Sequence, residues 1–565
     1  MVPFHVLVGA RFTDSDYHIS ESVDSAQPSE MLCEILRFAV GSDGVKTLLP
    51  LTHVCARWRR TALGDSSLWT TISLKQTTAP LFDMILAYSG NRLFTVYVDH
   101  PDLTRLIMLW KLVDRIEELH YFNDLRQITP FFSSLGPAPN LKVLDVVPVV
   151  TVEGIQRASL LIRDLPVIFS GRLPSLRDLT LTNTVGWPAG LFKGLSSFNY
   201  STPSHFPISP IHILGVLRNS PSIEFIRLDC RCDIPSGFDP PTITLRSLGK
   251  CTLIGQGTTS LIRFMTIPAS AHVFLSKPDI DDRDPLPKFE NLSAAQGLHV
   301  LDEVCAASFY ISDYDVRLQA KNDSGGILDV EMDELYELSQ DLMFAALVMS
   351  HFECARNCPG FKTAKELELD VDYSRVRGTG EATTFAIDVL SFIRNLPDLE
   401  GVKLRGIPPL ELASIIVYLH SGGRSCPSLK RLHIESAPFR SPRPMLSELD
   451  KLLAKRKKEG RPLQSFTVKM KCNVLISAAD HCAFLAAWEG LVEGDVRLEY
   501  ERSTVENSDS SRRRRRRNYE DESEGDEEEE EEESGYEADE PDDRCVGWDG
   551  WPEQWPKTVE EMRRR

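Results

Sequence analysis

The sequence predicts an α/β chain: a short helical unit, then helix–turn–strand units repeated along most of the length, then a charged tail. Three observations carry this. Between Gln27 and Leu74 apolar residues recur at three- and four-residue spacing, the period of a helix with one buried face. Eight later segments share one apolar register suited to short strands, five of them with proline at the same place. Residues 501–565 hold 24 of the 82 acidic and 12 of the 63 basic residues, so the tail carries −12 of the net −19.

The body is therefore nearly balanced in charge, which argues against a nucleic-acid surface, since that needs excess Lys and Arg to displace counterions. The 42% hydrophobic fraction is ordinary for a folded protein. The opening "MVPFHVLVGARF" lacks a basic n-region and a small-residue cleavage site, so residues 1–26 read as a flexible N-terminus. No apolar run reaches the roughly 20 residues of a membrane span. The 12 cysteines show no disulfide rhythm, and Cys230/Cys232 and Cys354/Cys358 lack the second pair a zinc site requires. A reduced compartment, cytoplasmic and/or nuclear, is expected.

The first helix is predicted in "QPSEMLCEILRFAV", with Pro28 at its start, Glu30 in its first turn, and Met31, Leu32, Ile35, Leu36 and Ala39 as its apolar stripe. Gly41 to Gly44 ends it. A second segment carries Leu51, Val54, Cys55, Trp58 and Ala62, and "GDSSLWTTI" returns Leu68, Trp69 and Ile72 as a third apolar patch. So few short helices do not bury their apolar surface alone, leaving packing on the next domain or on a partner as the two outlets.

The order Pro28-x-Glu30-Met31-x-x-Glu34-Ile35, then Leu51-x-x-Val54-Cys55-x-x-Trp58-Arg59, then Leu63 and Leu68-Trp69, resembles the F-box. It is most similar to the F-box-like form abundant in mushroom-forming fungi, with Gln27 where that family usually has leucine. The resemblance covers residues 27–75 and implies binding to a Skp1-type adapter and, through it, to a cullin. Carried over by position, Pro28, Met31, Leu32, Ile35 and Leu36 would face the adapter. Leu51, Val54, Cys55, Trp58 and Trp69 would divide between that contact and the internal core. Arg57, Arg59 and Arg60 are then a solvated helix face.

Residues 76–500 hold the repeats. "PNLKVLDV" from Pro139, "PSLRDLTL" from Pro174, "PSIEFIRL" from Pro221, "PDLEGVKL" from Pro397 and "PSLKRLHI" from Pro427 share the proline. "IEELHY" from Ile116, "AKELEL" from Ala364 and "LQSFTV" from Leu463 keep the register without it. Proline stops a helix, and the alternating apolar pair that follows suits a strand with one buried face. Asn219 and Asn395 are expected to close helices in the left-handed conformation. Repetition at roughly 25–47 residues points to a parallel solenoid, a doubly wound α/β domain being the alternative. The pattern resembles leucine-rich repeats, irregular ones, with Asn183 one place early. Gly255 to Gly360 keeps the register poorly and reads as an insertion, with a long loop around Lys277.

The tail, from residue 501 to 565, has almost no apolar content before Val546 and is expected to be disordered. Arg512–Arg517 reads either as a nuclear import signal or as a partner of Glu527–Glu533. Trp548, Trp551 and Trp555 form a docking segment, for the chain itself or for another protein. No phosphate loop, HExxH, GxSxG or dinucleotide motif is present, so no catalytic residue, metal or cofactor is expected. The leading function is a substrate receptor of a Skp1-cullin-F-box ubiquitin ligase whose solenoid recruits a protein target. The alternative is a repeat scaffold in which the F-box-like unit is a structural cap.

Overall fold

The computed structural model describes residues 28–502 except 42–43, 76, 100–102, 123–131, 134, 148–162, 204–205, 256, 277–296, 313–315, 333–354, 356–357, 372–388, 422–425, 437–442 and 473–476. The N-terminal residues 1–26, the loop at Lys277, the arginine run and the three tail tryptophans lie outside the described residues. What is described is mixed α/β, divided into two compact units, one ending at Lys193 and the other opening at Gly194. That division falls inside the expected 76–500 stretch, and the N-terminal helices belong to the first unit.

The first unit opens with α1 (Ser29–Val40), α2 (Val45–Leu51) and α3 (Ala56–Gly64), then a single 3-10 turn at Ser66–Trp69. Gly41 and Gly44 both take positive φ, and a Cβ on Gly44 would lie 2.6 Å from the carbonyl oxygen of Thr71, so this tight corner admits only glycine. The chain then runs through β1 (Thr71–Ser73), α4 (Ala79–Ser89), β2 (Phe94–Val98), α5 (Leu103–Leu112), β3 (Ile116–Tyr121), β4 (Val143–Val146) and β5 (Asp178–Thr182). These strands pair in parallel and in chain order. Alternate residues such as Val96, Leu119, Leu144 and Leu179 are buried, which gives the sheet one core face.

The second unit has β6 (Ser197–Ser201), α6 (Pro210–Asn219), β7 (Phe225–Asp229), β8 (Lys250–Ile254) and β9 (His272–Ser276). There follow β10 (Val304–Ile311), β11 (Val316–Asn322), β12 (Ile327–Met332), β13 (Glu366–Val371) and β14 (Gly401–Arg405). It ends with α7 (Pro409–Ser421), β15 (Arg431–Glu435), α8 (Arg443–Lys458), β16 (Ser465–Cys472), α9 (Ala478–Glu489) and β17 (Asp495–Arg502). Parallel pairing follows chain order from β6 to β9 and from β13 to β17. Between them β12, β11 and β10 enter in reverse order, with β11 antiparallel to both neighbours. The stretch expected to be an insertion, Gly255 to Gly360, thus contributes four strands, β9 to β12, to the sheet itself.

All eight repeat segments contain a strand. In the five with proline, the proline sits in the turn, and the apolar residue two places on (Leu141, Leu176, Ile223, Leu399, Leu429) is buried ahead of the strand. Asn219 and Asn395 do not take the left-handed conformation. The first helix closes on Ser220, whose buried hydroxyl accepts from the Leu195 amide at 3.1 Å, and the Asn395 amide donates back to the Ser391 carbonyl at 2.8 Å. Positive φ occurs instead at positions such as Asn183 and Gly406, just after strands, and Cys426, just before Pro427. A Cβ on Gly406 would collide with the Val371 carbonyl of the neighbouring strand. Gly406→Ala is expected to cost more than the roughly 1–2 kcal/mol of left-handed strain alone, read as a lower urea midpoint for the second unit.

Asn322, within a glycosylation sequon, is 6% exposed. Its amide donates to the Ala269 and Val300 carbonyls (2.8 and 3.1 Å) and accepts from the Gly326 N–H (2.8 Å), so the side chain is a structural clamp.

Glu411, in the first turn of α7, is 4% exposed, and its Oε2 has no hydrogen-bond partner among the described residues. Burial raises its pKa above the ordinary carboxylate value. Such a carboxyl costs stability as pH rises through the ordinary value toward the raised one, and costs little below both. Glu411→Met is expected to stabilise by about 1–3 kcal/mol at pH 7 and by less near pH 4. Thermal melts at the two pH values check this, and an equal gain at both would contradict it.

Candidate functional site

Helix α1 divides its apolar residues between two faces. Leu32, Leu36 and Val40, at i, i+4 and i+8, are 2%, 0% and 5% exposed in the core formed with α2 and α3. Met31, Ile35 and Phe38, at i, i+4 and i+7, form a second stripe. Met31 is 54% and Phe38 80% exposed, with Ile35 half-buried. Pro28 is exposed at the head of the helix, and Val54, in the loop between α2 and α3, is 60% exposed. Leu51, Cys55 and Trp58 are half-buried.

Leu32 and Leu36, expected to face an adapter, are therefore core residues here. The spacing merged two stripes into one, and the three-helix core claims the stripe nearer α2 and α3. Of the five residues expected to divide between contact and core, Trp69 falls on the core side at 0% exposure. Its Nε1 donates to the Ala62 carbonyl at 2.8 Å, and its ring lies 4.9 Å from that of Tyr88 on α4. Phe38 was missed by the sequence reading. Its i+7 relation to Met31 was the available signal.

Local caps hold the unit together. The Cys55 sulfur accepts from the Trp58 amide at 3.5 Å at the start of α3, and Arg59 Nε donates to the Thr52 carbonyl at 3.2 Å. Asp65 caps the 3-10 turn through the Ser67 amide and hydroxyl (3.0 and 2.7 Å). Arg37 reaches from α1 to Asp65 at 2.8 Å and Ser67 Oγ at 3.1 Å, and also pairs with Glu34. Burial works against the Asp65 charge, but the bonds from Ser67, Cys33 and Arg37 hold its pKa below the ordinary value. Burial and Asp65 push the Cys33 thiol up, so it stays protonated at neutral pH. Ser29, Cys33, Arg57, Arg60, Thr61, Gly64 and Asp65 line an open cleft of about 610 Å³ beside these contacts. Arg59 and Arg60 are exposed, and Arg57 is half-buried.

Three short helices thus enclose a filled core and carry an apolar stripe that none of the described residues covers. Residues 28–75 match the family described as F-box-like, and this segment is an F-box-like domain. Domains of that family generally bind Skp1-type adapters. No curated protein matches the chain. Among the described residues no helix is long and apolar enough to cross a membrane, and no group of three or more His, Cys, Asp or Glu side chains is placed to hold a metal.

Proposed function

We propose that this protein is the substrate receptor of a Skp1-cullin-F-box ubiquitin ligase. The F-box-like domain holds the adapter, and the parallel sheets, an irregular leucine-rich-repeat-like solenoid, present a protein target. The observation that carries the reading is the Met31–Ile35–Phe38 stripe, left open on a domain of adapter-binding type. Its contribution is proximity: transfer chemistry belongs to other subunits, and holding reactants together lowers the barrier. The chain itself is non-catalytic, works without a cofactor, and acts in the cytoplasm, the nucleus or both.

One observation favours the cap reading as well. Trp69 packs on α4 and β1 pairs with β2, so the end of the F-box-like domain closes the first edge of the sheet. The two roles use different faces and are compatible. Binding of the full chain to a purified Skp1-type adapter tests the receptor role directly. Absence of binding by the folded native chain leaves the cap role alone.

A further inference from the structure

The open face of the first unit's sheet differs in charge from that of β13–β17 in the second. Strands β13–β17 contain seven acidic and seven basic residues. Many are paired across strands, as in Lys403–Glu368 at 2.8 Å, Arg405–Glu368 at 3.0 Å and Lys469–Glu499 at 3.1 Å. Strands β1–β5 contain Glu117, Glu118, Asp145 and Asp178, and neither lysine nor arginine. Lys142, just before β4, is taken by Glu117 at 2.6 Å.

On this face Tyr97 and His120 stand opposite each other on β2 and β3, their rings stacked at 4.6 Å and 12°. Phe122 continues the row, 6.4 Å from each and within 7° of parallel. Asp145, opposite His120 on β4, bonds its Nδ1 at 2.7 Å. Glu118 accepts from Thr95 Oγ1 at 3.1 Å, and its carboxylate stands 3.7 Å from His120 Nε2. That nitrogen is shielded from solvent, and among the described residues it has no hydrogen-bond partner closer than this carboxylate. Burial lowers the His120 pKa, yet Asp145 and Glu118 outweigh it and the value is raised, so positive charge is favoured at this point of the sheet.

We propose that Tyr97, His120, Phe122, Glu118 and Asp145 form a docking patch for an arginine-bearing segment of the target protein. The inference rests on the receptor reading and names its substrate chemistry. A flat guanidinium lies over aromatic rings and gives paired N–H donors to a carboxylate, which an ammonium does not. The contrast with β13–β17 argues the same way: there lysines and arginines match the acids in number, whereas here His120 stands alone between two carboxylates, Glu118 and Asp145, and the patch keeps a negative excess.

The test uses the full chain and a fluorescent Gly-Ser peptide carrying three arginines, with its three-lysine counterpart, read by anisotropy at physiological salt. The arginine peptide is expected to bind several-fold more tightly than the lysine peptide. Asp145→Asn and Tyr97→Ala are each expected to weaken it by about tenfold. Glu118→Gln, which keeps an acceptor for Thr95, carries the test if either of those variants fails to fold. Arginine binding that is unchanged in the folded variants, as attachment to the acidic tail would give, overturns the proposal. Equal binding of the lysine peptide overturns it too. Adapter binding measured on the same variants is expected to stay at the native level, which separates failure of this patch from failure of the receptor reading.

Discussion

Met31→Asp combined with Phe38→Asp is expected to lower affinity for a purified Skp1-type adapter by at least about a hundredfold, since central apolar anchors are typically worth 2 kcal/mol or more each. Both side chains are more than half exposed in the free chain, so circular dichroism and the melting temperature should be unchanged. That separation matters, because Leu32→Asp would bury a charge in the three-helix core and abolish binding merely by unfolding it. Phe38→Asp alone is the sharper variant, as Phe38 is the more exposed of the two. Native affinity in the folded double variant, measured by calorimetry, would show that the adapter sits elsewhere or that α1 carries no interface.

Trp69→Ala is expected to destabilise the first unit by about 3–5 kcal/mol, the usual cost of removing a fully buried large aromatic. The indole fills the space between α3 and α4, and its loss also leaves the Ala62 carbonyl without its donor. Because the residue joins the helical domain to the sheet, hydrogen exchange should quicken together in α3, α4 and the β1–β2 pair. Quickening confined to the helices would show that the domain is only appended to the sheet.

The strands were legible because a one-faced parallel strand leaves a simple mark: proline in the turn, a buried residue two places on, then alternation. Leu176 with Leu179 and Leu181 shows this fully, as does Leu429 with Leu432 and Ile434. The turns were less legible. Asn219 has the right residue type for a left-handed cap, but Ser220 closes the helix in an ordinary conformation, its backbone N–H donating to the Leu217 carbonyl at 3.1 Å. The β10–β12 segment was misread as an insertion because antiparallel strands need neither the turn proline nor the repeat length. Within the F-box-like domain the motif located the module, and it could not tell which side of α1 the core would take. That choice depends on where α2 and α3 cross it, a tertiary fact absent from spacing.

The reversed trio β10–β12 has a kinetic consequence. Neighbouring strands elsewhere in the second unit meet across short separations, as Phe225 meets Lys250 and Gly401 meets Arg431. At the trio, His272 must find Ile327 and Ala306 must find Glu366, loops roughly twice as long. Each doubling adds only about 0.6 kcal/mol of closure entropy, but it adds it before any contact is gained. The β6–β9 and β13–β17 segments can thus zip locally as independent nuclei, and their union waits on the β11 hairpins. The last part of this sheet to close lies at its middle, where the chain reverses direction.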